Sequence, residues 1–353
     1  MEKTKRLYSF DLIRVIAIIA VVTIHASAGL LQKHAASSVE FLVGNIADSM
    51  TRLGVPLFIM LSGALMLNES KAVDFKKVKS KTLQIALLLV VWSVFYALVF
   101  QVGRPLMSGD PISGKDIFKE ILFGHYHLWY LYTLIALYLV TPLLRLFVRI
   151  ENQTYIRWFL ILSFFFSFLP NTLNFALNVL GVENNLVKEL AQQFHMGFVG
   201  AYVGYYVLGW YLVNITIPKL HRVALYAAGV LGLVVNILGI QFLTRADRPV
   251  YEELYDNAGV TVLVYSAAVF LLILNGCKGP RSAVFEKGVT LISKLSFGIY
   301  ILHPLFISLF LIFVPISNAL LSIALCWLVS LVGSAVVTWI ASKIPFVKLL
   351  VRG

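Results

Sequence analysis

Ten separate stretches of this chain are each apolar over about the length a helix needs to cross a bilayer. They lie at residues 12–31, 46–67, 82–102, 127–147, 155–175, 197–216, 222–244, 257–275, 293–314 and 317–342. A backbone in hydrocarbon must satisfy its own hydrogen bonds, so runs of this kind are compatible only with spanning helices. Asp48, Arg52 and Pro56 interrupt the second run, and Pro170 with two asparagines interrupts the fifth. Apolar residues make up 59% of the 353 and charged residues only 13%, which excludes a soluble domain. The sequence predicts an all-α polytopic transmembrane helix bundle of about ten spans, a single domain over 1–353 with no soluble second domain.

The cations then orient it. The N-terminus and every second loop together carry twenty lysines and arginines, and the alternate loops carry seven. Under the positive-inside rule this places both chain ends in the cytoplasm and requires an even number of spans. The formal charge of +12 is thereby explained as loop charge facing anionic lipid. No nucleic-acid partner is implied, because no soluble stretch is long enough to build a basic surface with interleaved aromatics. Residues 177–193, mixed in polarity, suit a short interfacial helix.

The first span carries an unusual polar stripe. Arg14 and His25 are eleven residues apart, a rotation of about 1100°, so they share one helix face roughly 16 Å apart along the axis. Asp11 precedes Arg14 by three residues on the same stripe. Ionisable groups inside a membrane are expensive, which favours a functional reading. The competing reading has Arg14 snorkelling to the headgroups and His25 as a satisfied interior hydrogen-bonder. Lys3, Lys5, Arg6, the apolar core 15–24 and Ala26-Ser27-Ala28 also resemble a cleavable signal peptide. Retention is the expectation, because cleavage discards the polar stripe.

Further polar residues fall in or near other spans. His303, beside Pro304, is placed at a depth similar to His25. It lines the same cavity or donates to a carbonyl freed by the proline. His125-Tyr126-His127-Leu128-Trp129-Tyr130 opens the fourth span as an interfacial aromatic belt, and its aromatic faces and imidazole edges also suit a sugar. On a helix its two histidines diverge, and no carboxylate or cysteine partner stands close in sequence, so no metal is expected. Arg52 is placed near the outer end of span two, contacting an anionic acceptor or snorkelling. Cys277 and Cys326 suggest neither a disulfide nor a metal site. Serine-hydrolase elbows, phosphate loops and His-Glu-x-x-His are absent.

Four of these segments resemble, in order, the signatures of the integral-membrane acyltransferase-3 family. They are Phe10-Asp11-Leu12-Ile13-Arg14-x-x-Ala17 with His25, Val55-Pro56-Leu57-Phe58-Ile59-Met60-Leu61-Ser62-Gly63, His127-Leu128-Trp129-Tyr130-Leu131, and Ser296-Phe297-Gly298-Ile299-Tyr300-x-x-His303. The chain is most similar to the stand-alone bacterial O-acetyltransferases that modify cell-surface glycans. The resemblance implies a multi-pass plasma-membrane enzyme that moves an acyl group, usually acetyl, from cytosolic coenzyme A thioester to a hydroxyl of a glycan or lipid-linked sugar. It implies His25 as general base, Arg14 at the donor's phosphates with Asp11 orienting it, and Ser62, Tyr300 and His303 beside the donor. Arg52, His127 and Trp129 are placed with the acceptor. A transporter or flippase of a lipid-linked glycan, or a non-catalytic scaffold, is the alternative for the same polar groups.

Overall fold

The computed structural model describes residues 7–68, 75–182, 185–244, 252–277 and 282–352, and among these it is helical without a strand. The loop cations Lys3, Lys5, Arg6, Lys71, Arg245, Arg248, Lys278 and Arg281 lie outside the described residues.

α1 (Tyr8–Lys33) is one unbroken helix. α2 (Val39–Thr51) and α3 (Gly54–Met66) make up the second crossing. α4 (Phe75–Ala97) runs through a π-helical turn, Leu98–Gly103, into α5 (Arg104–Ser108). The short α6 (Gly114–Phe123) precedes α7 (Trp129–Phe147). α8 (Gln153–Ser163), a π-helical turn at Phe164–Phe168 and α9 (Leu169–Val179) form the next crossing, and α10 (Leu186–Gln193) follows it. Then come α11 (Ala201–Asn214), α12 (Lys219–Leu243), α13 (Val260–Gly276), α14 (Ala283–Phe313), α15 (Ala319–Ala341) and a single turn, α16 (Val347–Leu350). Ser38, Ser113 and Asn318 cap α2, α6 and α15 by accepting from backbone N–H groups that the first helical turn leaves without partners.

Among the described residues nine helical stretches are long and apolar enough to cross a membrane. The expected span 197–216 folds as a 3-10 turn, Gly197–Val199, followed by α11, which has only 14 residues. Gly200 leads into it in an extended conformation, which shortens the helix at that end. The helix is nevertheless deep, with Tyr205, Tyr206, Val207 and Trp210 fully buried. The expected interfacial helix over 177–193 is divided between the end of α9 and α10.

α1, the α2–α3 pair and α14 are the most enclosed spans. Ile13, Ala17 and Ile18 of α1, Leu57 and Met60 of α3 and Ile299 of α14 share one apolar core. α12 and α15 turn Leu231, Phe242, Val332 and Val336 outward, as helices bordering lipid do. α1 and α14 run parallel: the Tyr8 ring lies 6.5 Å from Phe285, and His25 meets His303 further along. α15 runs back antiparallel, with Thr338 against Gly298 and Phe306 against Gly333. α1 therefore begins, and α15 ends, at the same end of the bundle.

Candidate functional site

Where α1 begins, Asp11 is buried and accepts hydrogen bonds from Ser293 Oγ at 2.7 Å and Thr290 Oγ1 at 3.3 Å, both on α14. Arg14 Nη1 donates to the same carboxylate at 3.1 Å. The arginine side chain is 28% exposed and the aspartate 1%, so an interior anion holds a cation at the surface. A buried carboxylate is tolerable only when its oxygens are paired in this way. Against the same stretch of α14 lies a surface cavity of about 500 Å³ lined by Glu286, Lys287, Thr290 and Lys294.

Three helical turns along α1, the half-buried His25 ring lies 5.1 Å from that of Tyr126 and 5.2 Å from that of His303. His303 is fully buried on α14. Its Nδ1 lies 2.8 Å from the Tyr300 carbonyl and 3.2 Å from that of Ile299. Pro304 has no N–H to give the Tyr300 carbonyl, and the imidazole supplies the missing donor. That satisfies one ring nitrogen only. Nε2 is buried with no hydrogen-bond partner.

His127 completes the cluster. Its ring lies 5.7 Å from that of His303 and 5.5 Å from that of Tyr300, whose hydroxyl donates to the His127 carbonyl at 2.7 Å. Both its ring nitrogens are buried, with the Ile301 backbone as hydrogen-bond partner. A buried polar atom left without a partner, as His303 Nε2 is, costs about 1–3 kcal/mol. Tyr130 stacks edge-on to Tyr300 at 5.5 Å, and Ser62 is its side-chain hydrogen-bond partner. Trp129 lies 6.4 Å from Tyr130 and 5.6 Å from Tyr202. The fold thus brings together His25, His127, His303, Tyr300, Ser62 and Trp129, from four helices and one turn. Asp11 and Arg14 stand apart from them, about 16 Å along α1.

Two expectations about this region need correction. Arg52 is not near an outer end: it lies midway along the 28-residue stretch Val39–Met66, at the break between α2 and α3. Pro56 cannot donate to the Arg52 carbonyl, so the α-helical ladder stops there. The guanidinium does not snorkel. It donates to the Asp48 carboxylate and lies 4.2 Å over the Tyr255 ring. Tyr255 donates to Asn45 Oδ1 at 2.9 Å, and Asn45 donates to the Ile237 carbonyl at 2.8 Å, which ties α2 to α12. From this position its charge acts on the His25 imidazole.

The other correction concerns His125 and His127, which do not diverge. They lie in a turn before α7, with rings 5.6 Å apart. Gly124, at φ +74°, makes that turn, in a region that favours a residue without Cβ. His125 does have a carboxylate partner, because α6 brings Glu120 Oε1 to 2.5 Å from its Nδ1. Tyr96 and Phe100 stack on the imidazole at 4.7 and 4.6 Å, nearly parallel. The sequence reading places His125 and Tyr126 in the aromatic belt and does not single out Glu120 or Tyr96. The available signal was Glu120 itself, five residues before His125 across a glycine. Among the described residues no three histidine, cysteine or acidic side chains converge on a common metal position.

A sequence-family model described as an acyltransferase domain matches residues 7–342. Comparisons with curated proteins and with solved structures return no match.

Proposed function

The chain belongs to the integral-membrane acyltransferase-3 family, and from that premise we propose that it is a bacterial plasma-membrane O-acetyltransferase. In this reading the donor is cytosolic acetyl-coenzyme A and the acceptor is a hydroxyl of a cell-surface glycan or its lipid-linked precursor. The observation that carries the proposal is the division of α1. A partly exposed guanidinium, held by Asp11, stands at one end, and a half-buried imidazole stands three turns on.

Arg14 meets the donor's phosphates by charge-assisted hydrogen bonds, and Lys287 and Lys294 line a cavity on the stretch of α14 that holds Asp11. Asp11 fixes the guanidinium's direction. The extended pantetheine arm follows α1 inward, bringing the thioester to Ser62, Tyr300 and His303. The acceptor enters from the other side, by His127, Trp129 and Arg52. His25 takes the hydroxyl proton at a ring nitrogen as the oxygen bonds to the acyl carbon. The C–S bond then breaks, and the departing thiolate recovers that proton from the imidazolium. Positioned proton transfer of this kind contributes about 10²–10⁴-fold. The unpartnered Nε2 of His303 supports the reading, because a carbonyl or hydroxyl ligand satisfies it.

The test is acetyl transfer from radiolabelled acetyl-coenzyme A by purified protein in nanodiscs, with a mixed cell-surface glycan extract as acceptor. His25→Ala is expected to lose at least about 100-fold in turnover while keeping donor binding. Arg14→Ala is expected to weaken donor binding by about tenfold or more. Wild-type protein that neither binds nor consumes the donor would sink the proposal and move the weight to a transporter.

A further inference from the structure

The mechanism above leaves the Glu120–His125 pair without a task, yet it is a closely built polar feature near His25. The carboxylate lies 2.5 Å from Nδ1. A neutral imidazole donating there keeps its lone pair at Nε2, the arrangement by which a carboxylate fixes a histidine's tautomer and direction. Tyr96 and Phe100 lie side by side, 5.9 Å apart, against one face of the ring, and hold it in place with its edge free for a ligand. Glu120 and His125 are 17% and 14% exposed, recessed but within reach of a small molecule.

Tyr126 connects this pair to His25. Its ring is 4.7 Å from that of His125 and 5.1 Å from that of His25, and the residue is 52% exposed. The two imidazoles therefore flank one accessible aromatic side chain. A ring-shaped molecule resting on Tyr126 with two neighbouring hydroxyls presents one to each histidine. A molecule with a single hydroxyl engages only one of them.

We propose that Glu120 and His125 form an acceptor subsite for cyclic polyols, in which His125 Nε2 accepts a hydrogen bond from the hydroxyl adjacent to the one that His25 deprotonates. The proposal rests on the acyltransferase reading and adds to it the residues that hold the hydroxyl next to the reacting one. Glu120 is a positioning residue in it, acting through His125.

The experiment compares acetyl transfer to trans-cyclohexane-1,2-diol and to cyclohexanol, which have the same ring and differ by one hydroxyl. Acetyl-coenzyme A is the donor, and the purified full chain is in nanodiscs. Wild-type enzyme is expected to prefer the diol, mainly through a lower KM. His125→Ala is expected to reduce that preference about tenfold, the worth of one hydrogen bond to a fixed partner. Glu120→Gln, which keeps the side chain's shape, is expected to reduce it in the same direction by less. His221→Ala, on α12, is the control and is expected to keep the wild-type preference. Thermal unfolding of each variant identifies any that failed to fold, and Glu120→Gln carries the test if His125→Ala is one. A wild-type preference that survives both substitutions, or no preference at all, overturns the subsite and leaves the acyltransferase reading intact. No transfer by wild type to either alcohol, with no donor consumption, overturns both.

Discussion

His303 joins an observed structural role to a proposed chemical one. Its Nδ1 serves the Tyr300 carbonyl that Pro304 leaves without a donor, and its Nε2 is buried and unpartnered. The two roles separate by mutation. His303→Ala strips the carbonyl of its donor and is expected to cost about 1–3 kcal/mol, read as a lower unfolding temperature in detergent. Adding Pro304→Ala restores a backbone N–H at the right place in the helix. The double variant should therefore recover stability over His303→Ala without recovering acetyl transfer. If activity returns with stability, the histidine's contribution is structural alone.

At the scale of elements, the shortest crossing is held by the closest contact. A Cβ on Gly63 of α3 would sit 1.8 Å from the Tyr206 carbonyl oxygen of α11, and one on Gly209 of α11 would sit 1.9 Å from the Met60 carbonyl oxygen of α3. Two glycines, each against the other helix's backbone, let these helices touch along their axes, as small residues do between membrane helices. Packing of this kind explains how α11, with only 14 residues, keeps Tyr205, Tyr206, Val207 and Trp210 fully buried. Gly63→Ala and Gly209→Ala should each force the pair apart and cost 1–3 kcal/mol or more, in the manner of overpacked cores. Loss of the monodisperse peak in size-exclusion chromatography is the readout. Gly288→Ala, on α14 where nothing approaches within 4 Å, should be neutral or stabilising by up to about 1 kcal/mol.

For the whole molecule, the packing brings the start of α1 and the end of α15 to one end of the bundle, as an even number of crossings requires. From the twenty-to-seven bias of lysine and arginine we propose that this end faces the cytoplasm. Once Cys277 and Cys326 are replaced by alanine, single cysteines report the side directly. A cysteine at Lys115, in the first turn of α6, should react with an impermeant maleimide from outside the cell. One at Lys343, after α15, should react only after permeabilisation. The reverse pattern would invert the donor and acceptor sides of the proposed reaction.

The helical class, nearly all of the spans and the Asp11–Arg14–His25 stripe follow from the sequence alone. Hydrocarbon forces each apolar run to satisfy its own backbone bonds, and a helix of known pitch fixes which of its residues align. These are local consequences of composition and spacing. The meeting of His25 with His303 joins residues 278 positions apart through the parallel packing of two helices, which no periodicity encodes. The central depth of Arg52 and the pairing of His125 with Glu120 depend on where Pro56 breaks a helix and where Gly124 turns the chain. A break or turn re-aims every side chain beyond it, and only the assembled bundle determines what those side chains then face.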